Sequence, residues 1–131
     1  MEALDSIRLF LHVLAASVWV GGQLTLAALV PALRAVGPEV TRAAARRFRL
    51  VAWPAFAVLL ITGIWNVLAG DTAGGRGLLT AKLVAVAVSG AAAYGHQRAT
   101  TRRGLAIGGA LSLLGALAAM LLGVMLGEQA S

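Results

Sequence analysis

Cysteine is absent from this 131-residue chain. That excludes disulfides, thiolate metal sites and cysteine nucleophiles together. Charge is scarce as well: 12% of residues are Asp, Glu, Lys or Arg, about half the share of a soluble globular domain. Only five residues are acidic and only two, His12 and His96, are histidine. What fills the space is apolar: 60% of residues are hydrophobic and the mean hydropathy is +0.87. This is the composition of an integral membrane protein. The net charge of +6 is therefore not the footprint of a nucleic-acid partner. The arginines flank apolar runs, where they set topology and meet anionic lipid.

Four uncharged or nearly uncharged runs predict four membrane-spanning helices, at about 7–30, 50–70, 78–97 and 104–127. The expected fold is all-α, a four-helix membrane bundle of one domain. The chain opens with Glu2 and Asp5 rather than a basic region, and no small-residue cleavage motif follows before Gln23. The first run thus reads as a retained helix and not a removed signal peptide. Arg34, Arg42, Arg46, Arg47 and Arg49 lie in the first connection, and Arg98, Arg102 and Arg103 in the third. The opposite side holds only Arg8 and Arg76 as flanking basic residues, with the acids Glu2, Asp5, Asp71 and Glu128. This bias places both termini outside and the first and third connections in the cytoplasm.

Inside the first run, His12 shares a helical stripe with Asp5, Arg8, Ala16, Trp19 and Gln23. An ionisable group at membrane depth is costly, and it marks a functional site facing the protein interior. By helical rise, His12 lies roughly 9 Å and Lys82 roughly 6 Å below the outer ends of their spans. Thr62, Asn66 and Met120 lie at comparable depth. The expectation is an outer-leaflet site formed by His12, Asn66, Lys82 and Met120. Each member also has a plainer reading: His12 as a structural histidine bonded to a backbone carbonyl, Lys82 snorkelling to the interface, Asn66, like Thr62, bonding between helices, Met120 filling a gap. His96 falls about 18 Å from His12 in depth, so the two are not expected to share one metal. It reads as part of the cytoplasmic basic rim.

Residues 38–49 read as a short separate helix, with Arg42, Arg46 and Arg49 on one face against lipid headgroups. Trp53 and Trp65 read as interfacial belt residues at the two ends of the second span, and Pro31 as the end of the first. Gly108, Ser112, Ala116, Ala119 and Gly123 form a small-residue stripe on the fourth span. Such a stripe packs helices closely within a monomer, or in a homodimer seam.

The segments Leu11-His12-x6-Trp19-x-Gly21-Gly22, Arg47-Phe48-Arg49, Leu60-Ile61-Thr62-Gly63 and Leu78-Leu79-Thr80-Ala81-Lys82-Leu83 resemble the copper-resistance protein D (CopD-like) membrane domain. The resemblance covers roughly the first three spans. The same superfamily includes the bacterial membrane-type protoporphyrinogen oxidase, in which a first-span histidine is linked to haem b. The resemblance implies functional roles for His12, Trp19 and Lys82. This chain departs from the oxidase-like members in carrying Leu26-Ala27-Ala28-Leu29 where they have a further arginine and histidine.

Three function classes follow as expectations. The first is copper handling at the cytoplasmic membrane, with His12 and Met120 as metal ligands. The second is a haem-b membrane redox protein with His12 as axial ligand, Asn66 fixing the imidazole tautomer at its second nitrogen, Lys82 meeting an anionic group such as a haem propionate, and Trp19 beside the cofactor. The third is a non-catalytic accessory subunit packing through its fourth span. No residue is assigned a catalytic role, and the balance leans away from an enzyme.

Overall fold

The computed structural model describes residues 2–70 and 75–130. Four α-helices occupy them: α1 (Glu2–Val36), α2 (Pro38–Leu68), α3 (Arg76–Arg98) and α4 (Arg102–Ala130). All four are long and apolar enough to cross a membrane, and no strand occurs among the described residues. Leu9, Phe10, Val13, Ile61, Val84, Leu114 and Leu121 are exposed, as side chains solvated by lipid tails are. Two exposed hydroxyls on α1 bond back to their own helix. Ser17 Oγ donates to the Val13 carbonyl at 2.8 Å and Thr25 Oγ1 to that of Gly21 at 2.7 Å.

Two helix boundaries differ from the sequence reading. α1 does not end at Pro31 but runs through it to Val36. Residues 38–49 are not a separate interfacial helix; they are the first turns of a continuous α2 that also contains Pro54. Each internal proline removes one hydrogen bond from the ladder, and neither interrupts the helix. The break falls instead at Gly37. Pro38 has no N–H to continue α1 and disfavours helical geometry at the residue before it. Its fixed φ suits the first position of the next helix. The Gly37 carbonyl then accepts from Val40 and Thr41.

The helices form two units, Met1–Trp65 and Asn66–Ser131. In the first, α1 and α2 run antiparallel. Arg8 lies over Trp65, His12 meets Thr62, Trp19 packs on Phe56 and Trp53, and Gly22 faces the Phe48 ring. As α1 advances, its partners retreat along α2.

The second unit is also an antiparallel hairpin, and here the small residues of α4, those of the stripe together with Gly115 beside it, do the packing. A methyl group added at Gly115 would lie 3.0 Å from the Ala85 carbonyl oxygen and the Ser89 amide nitrogen. One added at Gly108 would lie 2.9 Å from the His96 Cα. Backbones approach this closely only where side chains are small. The fully buried Ser89 hydroxyl donates to the Ser112 carbonyl at 2.7 Å across the seam. Gly70 and Gly75, both with positive φ, bracket the α2–α3 connection; such backbone favours glycine. Asp71, counted above on the outer side, lies outside the described residues. At the other end, the Thr101 hydroxyl caps α4 by accepting from the Gly104 N–H at 3.0 Å.

Candidate functional site

The α1–α2 seam carries the polar residues that the stripe analysis singled out. His12 is half-buried, and its Nδ1 lies 2.8 Å from Thr62 Oγ1. That hydroxyl has a single hydrogen, directed at the Val58 carbonyl 2.7 Å away, with the Leu59 carbonyl as a second acceptor at 3.2 Å. Toward the imidazole it therefore acts as acceptor. His12 must donate from Nδ1–H, which puts the ring's lone pair on Nε2. Thr62 is 3% exposed, so it is fixed in place by its surroundings as well as by its bonds. The role of holding the histidine tautomer was expected of Asn66; at Nδ1 it belongs to Thr62. The residue after it is glycine, and His12 Cε1 lies 3.6 Å from where a Gly63 side chain would begin.

Two turns along α1, Trp19 is 3% exposed and packs at 4.4 Å from the Phe56 ring and edge-on at 5.4 Å from Trp53. Trp53 and Phe56 meet edge-on in turn, at 5.7 Å. Such pairs contribute about 0.5–1.5 kcal/mol each beyond their buried area. Trp53 is thus a member of the helix seam. Trp65 keeps an exposed position near the other end of α2, and its ring lies 6.0 Å from the Arg8 guanidinium carbon. Arg8 is 5% exposed and pairs with Asp5 at 3.3 Å. The stripe had included Arg8 without giving it a role; its burial is the signal that sequence alone does not carry.

Lys82 and Met120 belong to the second unit. The Lys82 ammonium lies over Gly123 of α4, 3.2 Å from where a side chain would begin, and Met120 is exposed. Asn66 is half-buried, one turn beyond Thr62 on α2. His96 makes a structural bond: its Nδ1–H donates to the Leu105 carbonyl at 2.7 Å across the α3–α4 hairpin. Its side chain also packs on Gly108 and Gly109.

A metal or haem at His12 must be judged on the donors present. Among the described residues no three His, Cys, Asp or Glu side chains form a metal-binding group. The described part of the first unit has no methionine and no histidine besides His12. One imidazole, ligating through Nε2 with Nδ1–H held by a neighbour, matches what an axial haem ligand requires. No protein-family model, curated protein or solved structure matches the chain.

Proposed function

We propose that this chain is a multi-pass protein of the bacterial cytoplasmic membrane that holds haem b through His12 Nε2. It would be a relative of the CopD-like membrane domains and of the membrane-type protoporphyrinogen oxidases, with both termini outside. The observation that carries the reading is the His12–Thr62 pair, which sets the imidazole in the ligating tautomer at membrane depth. Further support comes from placement. His12, Trp19, Gly22, Phe48, Thr62 and Gly63, all within the segments of the resemblance, lie along one seam. Bound haem supplies one-electron chemistry at its iron. The chain's part is to orient the imidazole, keep its second nitrogen engaged and pack Trp19 against Phe56 and Trp53 beside the site.

Copper handling uses the same nitrogen and is the second reading, because neutral imidazole is also a copper ligand. It ranks second on donor chemistry. Cu(I) prefers thiolate and thioether sulfur, and the described residues of the first unit contain neither.

The deciding experiment is an absorption spectrum with metal analysis on detergent-purified protein from cells supplied with haem precursor and copper. A Soret band is expected in the native chain and in His96→Ala, and none in His12→Ala. Stoichiometric copper without a Soret band would establish the second reading. A ligand lost in His96→Ala and kept in His12→Ala would overturn the site.

A further inference from the structure

Lysine, arginine and carboxylate side chains are almost never fully buried unless paired. Arg8, at 5% exposure, is the most deeply buried charged group among the described residues. It lies one helical turn from His12, on the same stripe of α1, and residues so spaced have Cβ atoms about 6 Å apart. Its place is fixed from two sides. Trp65, one turn beyond Thr62 on α2, offers its ring at 6.0 Å. Asp5, one turn back on α1, presents a carboxylate oxygen at 3.3 Å. The two partners of this pair differ sharply: the Arg8 side chain is 6% exposed, that of Asp5 59%. The guanidinium is thus built into the protein, while the Asp5 carboxylate, one of its partners, stands at the surface.

From this geometry we infer that Arg8 is the anion-recognition residue of the His12 site. The site then takes a ligand that joins a metal centre to a carboxylate, and Asp5 occupies the carboxylate position until that ligand arrives. The inference rests on the haem reading above and deepens it, because haem b carries two propionates on one edge of the ring. A guanidinium binds carboxylate in a planar fork that an ammonium cannot reproduce. That gives Arg8 the role the sequence had offered to Lys82.

The test uses ferric haem b and its dimethyl ester, titrated into apo-protein in detergent and followed at the Soret band. The native chain should bind the diacid about 10–100-fold tighter than the ester, the range for charge-assisted hydrogen bonds. Arg8→Gln should bring the two affinities together while leaving the ester affinity near native, which also certifies the fold. Arg8→Lys should keep part of the preference. Asp5→Ala removes a competing carboxylate that stands at the surface, so diacid affinity should rise, by up to about five-fold, with the ester unchanged. If Arg8→Gln fails to fold, the Asp5→Ala and Arg8→Lys results decide. Equal binding of diacid and ester by the native chain, a preference surviving in Arg8→Gln, or no gain in Asp5→Ala would each overturn the inference while haem binding stands. A native chain that binds neither form overturns the haem reading along with it.

Discussion

Replacing Thr62 by valine separates what the His12–Thr62 bond does for folding from what it does for a ligand. Valine keeps the branched shape in a position that is 3% exposed, and it puts a methyl group where Oγ1 accepts from His12 Nδ1–H at 2.8 Å. The Val58 carbonyl loses its second donor but keeps its helical bond from the residue-62 amide, so the imidazole N–H bears the main loss. Hydrogen bonds between membrane helices contribute about 0.6 kcal/mol on average and about 1.7 at most. The α1–α2 hairpin should therefore lose little. Ligand affinity should fall further, about 10–100-fold, because the imidazole is no longer held in the ligating tautomer and orientation.

Two measurements separate the effects. Thermal unfolding of the apo-protein reads the hairpin, and Soret titration reads the ligand. Nitrogen-15 spectra of the imidazole report the tautomer without any ligand: the native chain should show a protonated Nδ1, and Thr62→Val a mixture. Thr62→Ser, which restores the hydroxyl, should recover both tautomer and affinity. The reasoning fails if Thr62→Val retains the Nδ1–H tautomer and binds as the native chain does.

Other expectations follow from the same contacts. Gly115→Ala sets a methyl group against the backbone of α3, which cannot move aside as a flexible side chain would. It should destabilise the second unit by about 1–3 kcal/mol, whereas Gly127→Ala, with nothing within 4 Å, should be neutral in the same melt. His96→Ala should lower that melting temperature slightly by removing the bond to Leu105, and leave the Soret band intact. A reporter fused after Ser131 should be active outside the cytoplasm; cytoplasmic activity would reverse the proposed orientation. Arg42, Arg46 and Arg49 changed together to Gln should reduce insertion, while correctly inserted protein binds its ligand as before.

The four spans were legible because lipid leaves a strong mark: stretches of about 20 residues without charge have few other uses. Helix ends were less legible, since hydropathy reports where a helix meets water and not where its backbone turns. Arg42, Arg46, Arg47 and Arg49 end the apolar run of α2 without ending its hydrogen-bond ladder. At 31 residues α2 is roughly 46 Å long by helical rise, well beyond the roughly 30 Å hydrocarbon core. The helix is therefore longer than a span requires, and its polar first turns belong to the same hydrogen-bonded element. Pro31 and Pro54 misled for a related reason: each removes a single bond, and only Pro38, preceded by glycine, coincides with a change of helix.

The inward stripe of α1 was readable because one period governs it, so His12 and Trp19 fall on the side that meets α2. Which α2 residue faces His12 is a matter of register between two helices, and period cannot supply that. Thr62 and Asn66 are one turn apart and equally inward by spacing; a single turn of register decides between them. The register is set by side-chain packing, at Gly22 against the Phe48 ring and Trp19 on Phe56. Moving α2 by a turn would unseat the aromatic cluster to satisfy Asn66. Each aromatic contact is comparable to the interhelical hydrogen bond it would be exchanged for. There are two such contacts to Trp19, so packing selects the register and the polar pair follows. The consequence is a division along one seam: apolar packing at the Gly22 and Trp19 end positions the helices, and the polar contacts of His12 and Arg8 at the other end follow from it.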